Sequence, residues 1–130
     1  MKYAANLSLL YTDRPLLERP AAAAADGFTG VEILFPYDVD ATGLRAAIDE
    51  AGLQTVLINT PLGPAGERGF AAVAGAEEIF RRDVERALHT AAALGSPRLH
   101  TMAGDVRLTG AAPTDTVRPV GTAASVHVDP

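Results

Sequence analysis

"GVEILFPYDVDATGLRAAIDEAGLQTVLINT", residues 30–60, decides how the rest of the chain is read. GVEILF (30–35) is a short apolar, β-branched run that Pro36 ends. Leu44, Ala47, Ile48 and Ala51 then recur at i, i+3, i+4 and i+7, which is one face of a short helix, with Gly52 just past its end. LQTVLINT (53–60) is strand-like again. Two apolar strands joined by a helix predict a crossover unit whose strands run parallel beneath covering helices.

The alternation extends to both sides. YAANLSLL (3–10) reads as a strand and TDRPLLERPAAAAADG (12–27) as the helix after it, with Thr12 or Asp13 as N-cap, Pro15 in the first turn and Gly27 as the stop. Pro20 lies inside that helix, where a regular one would lose a backbone bond and about 3 kcal/mol, so a kink or a late start is expected. After the Gly/Pro-rich loop PLGPAGERG (61–69), a long helix is expected from about Ala76 to Leu94. Phe80, Val84, Ala87, Leu88 and Ala91 form its buried stripe, and Arg81, Arg82, Glu85 and Arg86 its wet face. Gly95 and Pro97 end it, and RLHTMAG (98–104) is the fourth strand. From Asp105 to Pro130 the Thr, Pro, Ala, Val and Gly content reads as an irregular tail. Two α/β folds fit residues 1–104: a small doubly wound sheet, or half of a (β/α)8 TIM barrel, whose usual length is about 250 residues.

Composition narrows the function classes. A chain of 130 residues suffices for one core, and the net charge of −5 with scattered Lys and Arg offers no basic face for nucleic acid. With no cysteine there is no thiolate metal site and no cysteine nucleophile. MKYAANLSLLYTD is too short an apolar run for a signal peptide, and no segment approaches the roughly 20 apolar residues of a membrane helix. The expectation is a soluble, cytoplasmic protein without membrane or nucleic-acid partners.

In either fold, chemistry sits at the carboxyl ends of parallel strands. Asn6 and Ser8 lie there on the first strand, Glu32 on the second, Asn59 on the third and His100, sharing a face with Met102, on the fourth. Glu32 is a carboxylate within an apolar strand and therefore needs a partner, whether structural or catalytic. His100 reads either as a proton carrier or metal ligand, or as a hydrogen-bonded interior residue. Arg68, on its Gly-flanked loop, can clamp a small carboxylate or phosphate, or simply pair with Glu67. Asn6 and Asn59 can orient substrate hydroxyls or tie down strand ends. His89 is expected on the surface of the long helix, and His127 carries no weight. GPAGERG lacks the Lys-Ser/Thr ending of a phosphate loop, and no glycine triplet follows the first strand.

AANLSLLYTDRPLLER (4–19), GFTGVEILFPYD (27–38), VLINTPLG (56–63), AGERGFAAV (65–73) and LGSPRLHTMAG (94–104), in this order, resemble the N-terminal half of the hydroxypyruvate isomerase family within the xylose isomerase-like barrels. The resemblance implies a (β/α)8 barrel that interconverts hydroxypyruvate and tartronate semialdehyde through an enediolate. In that family two glutamates transfer the protons and a divalent metal, Mg or Mn, is held by carboxylates, all on strands of the second half. No catalytic and no metal-ligating residue is therefore carried over. Arg68, Asn6, Glu32, Asn59 and His100 match positions at the mouth of the barrel, and Arg68 is the candidate to hold the carboxylate of a small hydroxy or keto acid. A frameshift or truncation after Gly104 is expected, leaving a fragment without isomerase activity. The remaining readings are a non-enzymatic α/β binding module, and a sugar isomerase, epimerase or abasic-site endonuclease relative on the same barrel. Open sheet edges would favour self-association.

Overall fold

The computed structural model describes residues 1–105 and 126–127. Five strands, β1 (Ala4–Asn6), β2 (Gly30–Ile33), β3 (Gln54–Asn59), β4 (Arg98–His100) and β5 (Val126–His127), form one sheet in the order β1-β2-β3-β4-β5. The first four run parallel and β5 pairs antiparallel with β4. A small doubly wound sheet of the flavodoxin kind would have to reorder its strands. Here each strand lies beside the one that precedes it in the chain, as in a β/α barrel. Val126 and His127 fall in the stretch expected to be aperiodic, and the rest of that stretch lies outside the described residues.

Three helices, α1 (Arg19–Ala25), α2 (Ala41–Glu50) and α3 (Glu77–Leu94), connect the parallel strands. Pro20 produces the late start. A 3-10 turn at Leu16–Glu18 precedes α1, and Pro20 occupies its first turn, where no intrahelical N–H is required. Neither Thr12 nor Asp13 caps it, because α1 begins seven residues beyond Thr12, at Arg19. Helix α2 is capped by Asp40, whose carboxylate accepts from the backbone of Thr42 at 3.3 Å and Gly43 at 2.7 Å. Helix α3 ends at Gly95, at φ 63°, a left-handed residue that glycine adopts without strain.

Ala5, Val31, Ile33, Ile58 and Leu99 of the sheet, with Leu7 just past β1, pack under Ala23, Leu44, Ile48, Ala87, Ala91 and Leu94 of the helices. Burial of each of these aliphatic side chains larger than alanine is worth about 1.5–3 kcal/mol. Phe80 and Val84, expected in the buried stripe of α3, are half-buried, and the covered part of that helix begins at Ala87. The strands are shorter than their apolar runs, because the chain turns away at Leu7 and again after His100. Thr55 and Ile58 are both buried although three residues apart, which a regular strand would place on opposite faces. A register shift between Val31 and Glu32 against β3, where the extra residue is Val56, reconciles them.

Candidate functional site

Alternation along the strands builds the site. Ala5, Val31, Ile58 and Leu99 point toward the helices, so their neighbours Asn6, Glu32, Asn59 and His100 share the other face, at the carboxyl end of the sheet. Asn6 is in register with Glu32, and Asn59 with His100. Two polar pairs thus stand on four consecutive strands.

The first pair is joined directly. Asn6 Nδ2 donates to Glu32 Oε1 at 2.5 Å, while Asn6 Oδ1 accepts from the backbone N–H of Ser8 at 3.0 Å. Glu32 thereby gains a neutral partner for its half-buried carboxylate, and among the described residues its second oxygen is left for another group. In the second pair Asn59 is 6 % exposed and its Nδ2 lies 3.6 Å from Met102 Sδ. His100 is half-buried, and its backbone carbonyl accepts from the Thr60 N–H at 2.8 Å. Met102 lies past the end of β4 rather than on the strand, so its place beside Asn59 comes from the loop.

Arg68 reaches the same end of the sheet by a different route. The Gly104 N–H donates to the Arg68 carbonyl at 3.0 Å, and the N–H groups of Ala71 and Ala72 donate to Met102 and Ala103 at 3.2 and 2.8 Å. Residues 68–72 therefore run antiparallel along the exit of β4, with Gly69 bridged to Ala103. A Cβ on Gly69 would sit 2.3 Å from the Met102 carbonyl oxygen, and one on Gly104 would sit 2.3 Å from the Gly69 carbonyl. Only two facing glycines permit that approach, and the GERG and MAG stretches supply them. The Arg68 side chain is exposed and does not pair with Glu67. Glu67 Oε2 instead accepts from the Ala65 N–H at 2.9 Å and closes its own loop.

Ser8, expected at this end, and two residues not singled out for it, Thr60 and Tyr37, complete this end of the sheet. Ser8 Oγ accepts from the Leu34 N–H at 2.9 Å, and Thr60 Oγ1 from the Met102 N–H at 2.9 Å, each tying a strand end to its neighbour. Tyr37 donates its hydroxyl to the Asn59 carbonyl, and Arg86 lies 4.8 Å over its ring. Burial pushes the Tyr37 phenol well above its ordinary value near 10. A threonine directly after a strand was the available signal for Thr60; nothing local marks Tyr37. Among the described residues no three His, Cys, Asp or Glu side chains converge as metal ligands.

Parallel strands in chain order, each followed by a covering helix, with polar groups gathered at the carboxyl ends, define a β/α-barrel protein. The family model described as xylose isomerase-like TIM barrel matches residues 20–121, and the chain belongs to that family. It is 50 % identical over 105 residues to the 2-oxo-tetronate isomerase of Cupriavidus necator, covering 79 % of this chain and 40 % of that protein. To the hydroxypyruvate isomerase of Escherichia coli it is 41 % identical over 106 residues, covering 80 % and 41 %. The crystal structure titled AP endonuclease, family 2, from Brucella melitensis superposes with a TM-score of 0.76 at 48 % identity, over 80 % of this chain and 42 % of that one. The chain thus spans about two fifths of the length of the relatives it matches. No helix among the described residues is long and apolar enough to cross a membrane.

Proposed function

We propose that this chain provides the substrate-positioning half of an isomerase site for 3-hydroxy-2-oxo carboxylates, in which a proton moves between neighbouring carbons through an enediolate. The observation that carries the proposal is the row Asn6–Glu32 and Asn59–His100 at the carboxyl ends of four parallel strands, with the Arg68 loop pinned to the same end. Arg68 holds the substrate carboxylate through charge-assisted hydrogen bonds. Asn6, Asn59 and His100 offer donors and acceptors to the adjacent oxygens, and the free Glu32 oxygen accepts from a hydroxyl.

The proton-transferring glutamates and the divalent metal, Mg or Mn, belong to the strands that complete such a barrel. This chain alone is therefore expected to bind without turning substrate over. Hydroxypyruvate and 2-oxo-tetronate carry the same carboxylate, carbonyl and hydroxyl. The relatives named for 2-oxo-tetronate are 46–50 % identical and those named for hydroxypyruvate 41–46 %, so both acids enter the proposal. The net charge of −5 speaks against a nucleic-acid substrate.

Calorimetric titration with both acids tests the reading. Saturable binding is expected, weakened about ten- to hundredfold by Arg68→Ala, as for a hydrogen-bonded charge pair. Absence of binding to either acid, or an unchanged affinity in Arg68→Ala, overturns the assignment. Turnover of either acid by the purified chain with Mg²⁺ or Mn²⁺ would overturn the division of labour between the two halves.

A further inference from the structure

Asn59 is the most enclosed polar side chain of the proposed site, and three elements meet on it. From the loop after β2, Tyr37 donates its hydroxyl to the Asn59 backbone carbonyl. From α3, Arg86 lies 4.8 Å over the Tyr37 ring and donates to the Tyr37 carbonyl at 3.2 Å. From the exit of β4, Met102 meets the Asn59 side-chain amide at 3.6 Å and is itself held by Thr60. We propose that Tyr37 is a positioning residue of the site, which locks Asn59, and through it the exit of β4, in the geometry that binds substrate.

The chemistry fits a lock rather than a proton carrier. Tyr37 is half-buried with its ring under a guanidinium and its oxygen against a backbone carbonyl, so the hydroxyl has one acceptor at hand and remains a donor. Burial holds the phenol protonated throughout the physiological range. A backbone carbonyl at a strand's end has no further ladder partner on that side, and an acceptor left unsatisfied there would free the end to move. Asp83 and Arg86 of α3 are the charged groups acting on the phenol, and they act in opposite directions. The arrangement adds side-chain ties among the second, third and fourth βα units to the backbone pairing of their strands.

The inference rests on the proposed binding function, and Tyr37→Phe separates the two. The variant keeps the ring beneath Arg86 and removes only the hydroxyl. It is expected to shift the Asn59 side-chain amide and His100 ring signals in the NMR spectrum of the unliganded protein. It is also expected to weaken binding of hydroxypyruvate and 2-oxo-tetronate by about three- to tenfold, the loss of one hydrogen bond. Arg86→Gln, which leaves the hydroxyl in place, should move the same signals less. Unmoved Asn59 and His100 signals in both variants overturn the positioning role, whatever happens to the melting temperature. Shifted signals with unchanged affinity reduce Tyr37 to a structural brace and overturn it as well. Failure of the unsubstituted protein to bind either acid sinks the proposed function instead, and the signal shifts then still decide whether Tyr37 locks Asn59.

Discussion

Gly69 and Gly104 are held by geometry that no other residue satisfies. Both lie at positive φ, 92° and 88°, and a Cβ on either would run into backbone 2.3 Å away. Gly69→Ala is expected to cost about 2 kcal/mol or more, since a strained backbone adds to a clash that no side-chain movement relieves. Urea unfolding followed by circular dichroism measures it, and a loss under half a kcal/mol would show that the loop sits elsewhere. Thr55 presents the opposite case. Its hydroxyl is buried without a partner among the described residues, so Thr55→Val removes a desolvated polar group while conserving shape. The valine variant should be as stable as the parent or up to about 1 kcal/mol more so; a loss of similar size would reveal an acceptor for that hydroxyl. Tyr37 adds a pH dependence. Its folded pKa is raised by burial above the ordinary value near 10, so its contribution is complete below that value and is lost as pH rises beyond it. Stability should fall with rising pH from about pH 10, and less steeply in Tyr37→Phe, as thermal melts between pH 9 and 11 would reveal.

At the scale of elements, α2 depends most visibly on its first turn. Asp40 satisfies two orphan N–H groups, and Asp40→Ala should cost about 1 kcal/mol. Asp40→Asn, which keeps an oxygen for one of those donors, should recover most of it in the same thermal melts. The elements also show how much could be read beforehand. Residues 30–60 announced their β-α-β order through apolar spacing, since the period of a strand and that of a helix differ, and both ends of α3 followed from Ala76 and Gly95. The start of α1 was legible from Pro20 as a late one, although Thr12 and Asp13 suggested otherwise. Capping preferences act only where the following turn is helical, and Pro15 instead opens a 3-10 turn. The covered length of α3 was not legible from periodicity. Phe80 and Val84 carry the right spacing, but the sheet reaches only the later turns.

Across the whole molecule, the sheet has two edge strands among the described residues, β1 and β5. Strand β5 is hydrogen-bonded to β4 and β1 to β2, and β1 is flanked by Met1, Tyr3, Leu9 and Leu10, all exposed. A strand edge with apolar neighbours is a template for pairing, so self-association rising with concentration is expected. Light scattering coupled to size exclusion at increasing loading would report it, and a monomer at every concentration would show the edge to be covered. Lys substitutions at Leu9 and Leu10 should reduce the association, because a buried charge opposes a new contact.

What the amino-acid sequence determined by itself is the alternation of strand and helix, the polar residue types at strand ends and the glycines of GERG and MAG. These follow from local spacing and from steric rules that act within a few residues. Only the tertiary structure decided which of those polar groups meet. Asn6 reaches Glu32 because parallel pairing sets residues 26 apart side by side. Tyr37 reaches Asn59, 22 residues away, because the turn after Pro36 folds back over the end of β3. Such contacts depend on strand register and loop path, and these are settled by the packing of the whole sheet under its helices rather than by any stretch of chain alone.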